Sequence, residues 1–402
     1  RQRHTFLRGD FAYGPVSFRA FWNRDDGNTG PWQDFKYQPR PLASDYLSNV
    51  VDAEVTATGE FQTGPVQHKL IGGVGYRLKM IENFTFFAQD WTEHHFSAFV
   101  NEEMSFSIVR LVASMRMDVH PLINVSQTLS PRGAAIVRVT DTSSVRLNGG
   151  TSFRSPNMIE TYTDFALGTS ADGVYVRDLG SQDVVPERIT TVELGFHDES
   201  TPFHQADVAV YYNHLNNIIY LRDVEPGFGF YDPENRGFQV GTTGFYNTDE
   251  KRDGWGVEAE IEVFPIDGLD LHANVNVAQI FENDGTETVR DKSISLVKVN
   301  GGVTYRSPFR TDLTLDAHYV SPQEWRLRSF NADGTIDIVT QAIPARFILA
   351  ARIGVRPFKN ESLELAAVMW NPLAFADSMK FREHPQGQEL GARVYGSVEY
   401  SF

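Results

Sequence analysis

Along most of this chain apolar and polar positions alternate one by one. Over 390–402, Leu390, Ala392, Val394, Gly396, Val398, Tyr400 and Phe402 share one face, while Gly391, Arg393, Tyr395, Ser397, Glu399 and Ser401 share the other. A period of two is the signature of an extended strand, whose successive side chains point to opposite sides. The pattern recurs in 253–264, where Trp255, Val257, Ala259, Ile261 and Val263 oppose Glu258, Glu260 and Glu262. In 268–280, Leu269, Leu271, Ala273, Val275 and Val277 oppose Asp270, His272, Asn274 and Asn276. In 310–321, Leu313, Leu315, Ala317 and Tyr319 oppose Asp312, Thr314, Asp316 and His318. In 343–356, Phe347, Leu349, Ala351, Ile353 and Val355 oppose a face with Arg346, Arg352 and Arg356. Read throughout, the pattern predicts seventeen strands, at 3–12, 15–23, 47–61, 65–80, 93–104, 106–117, 130–140, 143–154, 188–198, 205–216, 253–264, 268–280, 294–306, 310–321, 343–356, 361–371 and 389–402.

The connections carry a second pattern. Short turns such as Tyr13-Gly14-Pro15, Gln62-Thr63-Gly64-Pro65, Pro265-Ile266-Asp267-Gly268 and Phe358-Lys359-Asn360-Glu361 are rich in turn-forming residues. The turn near Ser105 has no such residue. Long connections fall at 24–46, 81–92, 118–129, 155–187, 217–252, 281–293, 322–342 and 372–388, alternating with the short ones. Short turns at one end, long loops at the other and charges strung along the polar faces of long strands together predict an all-β fold. That fold is a transmembrane antiparallel β-barrel with an apolar skin and a hydrated lumen. Phe402 is then expected at the periplasmic end, with Tyr400 and Phe402 in an interfacial aromatic girdle. Seventeen is odd, so the reading over 1–402 is a barrel truncated at its N-terminal side.

Composition narrows the function. Acidic residues number 52 against 36 basic ones, a net charge of −16, which argues against nucleic acid as a partner. No run of about 18 apolar residues offers a transmembrane helix. Cysteine is absent, which removes thiolate metal sites and cysteine nucleophiles and suits passage through an oxidising compartment. No G-x-S-x-G, H-E-x-x-H, Walker or dinucleotide motif is present, so neither an enzyme nor a cofactor is expected.

From Ser143 the chain reads SSVRLNGGTSFRSPNMIETY and from Val184 VVPERITTVELGF. This run, with Phe153-Arg154-Ser155-Pro156-Asn157, Glu160, Pro186-Glu187 and Glu193, resembles the TonB-dependent outer-membrane receptor family. Leu129-Ser130-Pro131-Arg132, His68-Lys69-Leu70-Ile71-Gly72, Phe99-Val100-Asn101-Glu102, Asn371-Pro372-Leu373 and the closing Tyr400-Ser401-Phe402 are similar to further family segments. The resemblance implies a 22-stranded barrel filled by an N-terminal plug. About five strands and that plug then lie outside this sequence. It also implies lipid and lipopolysaccharide as surroundings, TonB of the inner membrane as the energy-giving partner, and a small nutrient as ligand.

Arg132, Phe153, Arg154, Pro156, Asn157, Glu160, Pro186, Glu187, Glu193 and Phe402 are expected to hold the barrel together, the charged ones through inward ion pairs. Paired glycines at Gly72-Gly73, Gly149-Gly150 and Gly301-Gly302 are expected where the wall is crowded. Ligand candidates sit on the loops: Trp91, His94, His95, Tyr162, Phe165, Tyr175, Arg177, Phe230, Tyr231, Trp325, Arg382 and His384. Aromatic faces with arginine suit a bulky anionic chelate, and an interfacial belt uses the same residue types. His94 and His95 are adjacent on a strand and face opposite ways, so no metal site is expected from the pair. The expected function is uptake of a ferric siderophore or other metal complex, with cobalamin, an oligosaccharide or a peptide as other cargoes. A passive porin, an outer-membrane hydrolase and an adhesion barrel are the competing classes.

Overall fold

The structure is a computed structural model that describes residues 2–28, 45–82, 84–169, 171, 173–234, 237–330 and 336–401; Phe402 lies outside them. The first wall strands are β1 (Gln2–Tyr13), β2 (Val16–Asn28), β3 (Asp45–Thr63), β4 (Val66–Glu82), β5 (Trp91–Phe106), β6 (Val109–Val119), β7 (Ser130–Arg138) and β8 (Ser143–Arg154). A short helix α1 (Met158–Tyr162) and loop strands β9 (Asp164–Gly168) and β10 (Val174–Leu179) follow. The wall resumes with β11 (Glu187–Thr201) and β12 (His204–Asn216), and β13 (Ile219–Leu221), β14 (Glu225–Asp232) and β15 (Gly237–Asn247) form the next loop. Then come β16 (Lys251–Ile266), β17 (Leu269–Asn283), the short β18 (Thr288–Arg290), β19 (Val297–Arg306) and β20 (Thr311–Val320). The hairpin β21 (Gln323–Phe330) and β22 (Ile336–Ile343) precedes β23 (Arg346–Val355), β24 (Leu363–Trp370) and β25 (Arg393–Tyr400).

The seventeen long wall strands pair antiparallel with their sequence neighbours, from β1–β2 round to β24–β25. Each predicted strand corresponds to one of them; nine are longer than predicted, and seven, including the last five, are shorter. The ladder preserves the faces. Val210 opposes Val257, Val257 opposes Val277, and Val303 opposes Leu315, so the apolar set of one strand continues into the next. Val74, Phe96, Val210, Leu315, Ile353 and Val398 are all exposed on this outer face. The large buried side chains lie mostly in the loops, with Tyr175 fully buried. An apolar exterior over a wall without a conventional core is the inside-out arrangement that hydrocarbon requires.

The inner face is polar and densely paired. Arg19 bonds Glu54 and Arg77 bonds Asp52 at 3.0 and 2.7 Å. Arg116 bonds Asp118 at 2.8 Å, and Arg146 bridges Glu193 and Asp207 at 3.3 and 2.7 Å. Arg352 and Arg356 both engage Asp312 and Glu364 near the turn end. The glycine pairs split by parity. A Cβ on inward Gly73 meets the Phe99 ring at 2.5 Å and one on inward Gly150 meets Arg132 at 2.7 Å, whereas outward Gly72 and Gly149 have ordinary room.

The turns show which local rules the chain used. Gly14 and Gly64, each followed by Pro, have positive φ of 54° and 58°, closing the two-residue connections β1–β2 and β3–β4. The turn expected near Ser105 lies two residues later, with Ser107 itself in the left-handed region at φ 52°. A serine there gives no sequence warning.

The parity argument predicts a sharp asymmetry between neighbours. Leu315→Arg, on the outer face, should destabilise the folded protein in bilayers by about 2–4 kcal/mol. Thr314→Lys, facing the lumen, should cost under about 1 kcal/mol. Reversible unfolding in lipid vesicles measures both, and equal costs would contradict the assigned faces.

Candidate functional site

Among the described residues, the loop end is built from paired strands, a capped helix and side-chain ties. At its centre is the loop after β8, where the strand's own sequence sets the exit. Pro156 is buried and has no N–H to offer a ladder. Asn157 then caps α1: its side chain accepts from the Ile159 and Glu160 amides at 2.9 and 3.0 Å, and Glu160 accepts from the Asn157 amide at 2.8 Å. Arg154 donates to Glu160 at 2.9 Å and to Glu187 at 2.6 Å, so one guanidinium ties the strand end, the helix and the start of β11. Glu187 also accepts from the Ile219 amide at 2.9 Å, and Asn217 donates to the Pro186 carbonyl. Arg132 donates to Ser152 at 2.8 Å on the inner face, and Phe153 borders a lumen cavity of about 450 Å³.

Helix α1 is pressed onto the wall by an aromatic and acidic grip. The Tyr162 ring stacks on Trp91 with centroids 3.9 Å apart, and its hydroxyl donates to Glu93 at 3.0 Å. Burial, reinforced by the Glu93 charge, pushes the Tyr162 phenol well up. Phe165 sits edge-on to Phe86 at 4.7 Å. Below Tyr162, Glu93 accepts from His95 at 2.9 Å, and His120 stands 4.0 Å away. Burial pushes the His120 imidazole down to about 4, with the His95 and Lys79 charges adding and Glu93 opposing. His94 takes the other face, as its parity demands, and meets the Tyr76 hydroxyl at 2.8 Å.

A mixed sheet spans two loops. β10 pairs antiparallel with β9 and parallel with β15, which also pairs with β13 and β14. Arg177 is held by both oxygens of Asp164 at 2.7 and 2.8 Å. Tyr175 is fully buried and donates to Asp232 at 2.5 Å, so it serves this sheet rather than the surface. Phe230 and Tyr231 are exposed, with Tyr231 edge-on to Phe238 at 5.3 Å. A second group lies on the far side of the chain order, where Trp325 of the β21–β22 hairpin meets His384 at 4.6 Å and Arg382 donates to Glu389 at 3.1 Å.

The structure thus brings Trp91 to Tyr162, Arg177 and Tyr175 into one sheet with the strand bearing Phe230 and Tyr231, and Trp325 to His384. Two residues that pattern reading passed over, Glu93 and His120, are central: both are nearly inaccessible, His120 lines the lumen cavity, and Glu93 shares the inward face of β5 with the cavity-lining His95. Their signal was present as parity, since 93 and 95 share a face, but His120 joins only through the β5–β6 ladder at Phe96 and Val119. No nucleophile is activated where Ser143, Asp198 and His204 meet, because the serine hydroxyl donates to the carboxylate and the histidine nitrogens contact Asp198 and Thr201.

Comparison with known proteins agrees with this architecture. A profile of the family described as "TonB dependent receptor-like, beta-barrel" matches residues 2–366. No curated protein matches the sequence. The siderophore receptor PirA of Acinetobacter baumannii superposes with a TM-score of 0.77 at 13% identity, covering 100% of this chain and 62% of its own. A ferric enterobactin receptor PfeA mutant from Pseudomonas aeruginosa, solved with enterobactin, gives 0.76 at 14%, covering 100% and 62%. The outer membrane transporter YddB of Escherichia coli gives 0.72 at 13%, covering 100% and 63%. The chain therefore spans less than two thirds of these structures.

The Arg154 knot generates a prediction. Arg154→Ala leaves Glu160 and Glu187 without their shared cation, at a cost of about 1–2 kcal/mol given partial solvent exposure. Cleavage within 155–186 by a limiting protease should accelerate several-fold while the wall melts unchanged. Unaltered cleavage would show that the knot does not hold this loop.

Proposed function

Because this chain belongs to the TonB-dependent receptor-like β-barrel family, we propose that it forms the wall of an outer-membrane transporter that captures a scarce metal chelate, a ferric siderophore, at its loop end. The cargo then crosses the lumen when TonB supplies energy through the plug that the family resemblance implies. In this reading residues 1–402 are barrel, the loop end faces outward and the turn end faces the periplasm.

The supporting observation is the mouth itself. Two structured groups of loop residues carry aromatic and cationic side chains, the exposed Phe230 and Tyr231 on one, the exposed Arg382 with half-buried Trp325 and His384 on the other. Such faces recognise a large, anionic, partly aromatic chelate through stacking and cation–π contact, and a rigid loop sheet spares the ordering cost on binding. The lumen below is lined with charge pairs that water solvates and a passing polar cargo tolerates. Covalent chemistry has no role in this reading. The superposed receptors named for siderophores add support by fold.

The test is uptake of radiolabelled ferric siderophores by cells carrying or lacking the gene, with and without TonB. Uptake that needs both is expected, and the double change Phe230→Ala with Tyr231→Ala should weaken chelate binding about tenfold, the effect of losing about 1.4 kcal/mol. Uptake that persists without TonB would replace this reading with a passive channel.

A further inference from the structure

Three donor side chains converge on the inner wall beside α1. Glu93 and His95 are two apart on β5 and share its inward face, and His120 follows the end of β6, whose Val119 pairs with Phe96. His95 Nε2 lies 2.9 Å from one Glu93 oxygen and His120 Nε2 lies 4.0 Å from the other. One ligand atom from each residue falls within 4.8 Å of the other two.

The His120 ring gives the independent sign. Its side chain is 2% exposed and its Nε2 has no hydrogen-bond partner. A buried nitrogen aimed at a carboxylate without reaching it is a costly arrangement when left unpaired. The ring is fixed from behind, where Nδ1 accepts from the Leu122 amide at 3.1 Å, and from the side, where it stands edge-on to His95 with centroids 4.7 Å apart.

We propose that Glu93, His95 and His120 bind a divalent cation of the zinc class in the barrel wall. One carboxylate and two imidazoles are a borderline donor set that favours zinc-like ions over calcium or magnesium. Ligand distances of about 2.0–2.2 Å require the His120 ring to move inward by a fraction of its present gap. The neutral ring carries its hydrogen on Nε2 because Nδ1 accepts from Leu122. Loading moves that hydrogen to Nδ1 and releases the Leu122 bond, so the site rearranges as it fills. Lys79, 3.6 Å from Glu93, is the resident countercharge. It is partly exposed and borders the same cavity as His95 and His120, so an arriving ion displaces it into open space. That cavity also supplies the entry path and an open coordination position for water.

A cation here acts on the mouth. Glu93 holds Tyr162 of α1 as well as His95, so an ion would cross-link the loop after β8 to the wall. The site does not rest on the siderophore reading and is tested separately from cargo uptake.

The experiment uses the full-length protein, purified in detergent and stripped with a chelator. Titration with Zn²⁺ by calorimetry should show one tight equivalent, and Co²⁺ should give the intense visible bands of a low-coordinate nitrogen–oxygen site. His95→Ala and His120→Ala should each weaken binding at least tenfold, and the outward-facing His94→Ala should not change it. X-ray absorption of the zinc-loaded wild type needs no variant and should show two imidazoles in the ligand shell. Binding by wild type no tighter than by the double variant His95→Ala with His120→Ala, or a ligand shell without imidazole, would overturn the proposal.

Discussion

Everything in this fold follows from the backbone's need to pair its own N–H and C=O groups where no water reaches them. In hydrocarbon each unpaired group costs several kcal/mol, so strands survive there only as continuous ladders. Once the ladder is imposed, side chains have two destinations, lipid or lumen, and the sequence must alternate accordingly. Val257 and Glu258 are neighbours in the chain, yet one belongs to the skin and the other to the lining. The same constraint explains the near-absence of a conventional core in the wall and its concentration in the loops, where Tyr175 and Tyr162 are buried among neighbours.

The lining answers a second problem that the ladder creates. Long strands set charged side chains side by side at the spacing of the sheet, so each charge meets another across the ladder. The chain places opposite signs there: Arg19 against Glu54, Arg77 beside Asp52, Arg146 between Glu193 and Asp207. These groups are half-exposed to the lumen, so each pair contributes little to stability. Their value lies in keeping the lining polar and hydrated, while the paired glycines make room for Phe99 and Arg132 on the inner side only.

How much of this was legible depends on range. The wall was readable because period two is local: each of the seventeen strands announces itself within its own residues, and the faces assigned to Val394, Leu271 and Phe347 from alternation are those the ladder gives. The loop architecture was not. β10 is six residues long and finds its parallel partner β15 about sixty positions on, and a strand that short leaves no periodic trace. The hairpin between β5 and β6 was legible but was read two residues early, since the left-handed Ser107 carries no turn-forming residue type to mark it. The motif around Arg154 was visible as a string of residue types, but its meaning as a three-way tie required knowing that Glu187 lies across the ladder from Arg154.

The same reasoning shows why Glu93 matters more than its neighbours. A carboxylate nearly inaccessible to water must be compensated by donors, and Glu93 has Tyr162, His95 and Lys79 around it. Those donors come from three different places: the loop helix, its own strand and the adjacent β4. Removing any one of them leaves a buried charge short of a partner, so the position of α1 and the chemistry of the wall are energetically one unit. Other loop contacts, such as the exposed Tyr231 on Phe238, can be lost singly with little consequence for the wall. The inward face of the first residues of β5 is thus one linkage between rigid wall and structured loop, and it works beside the Arg154 tie from β8 to α1 and β11.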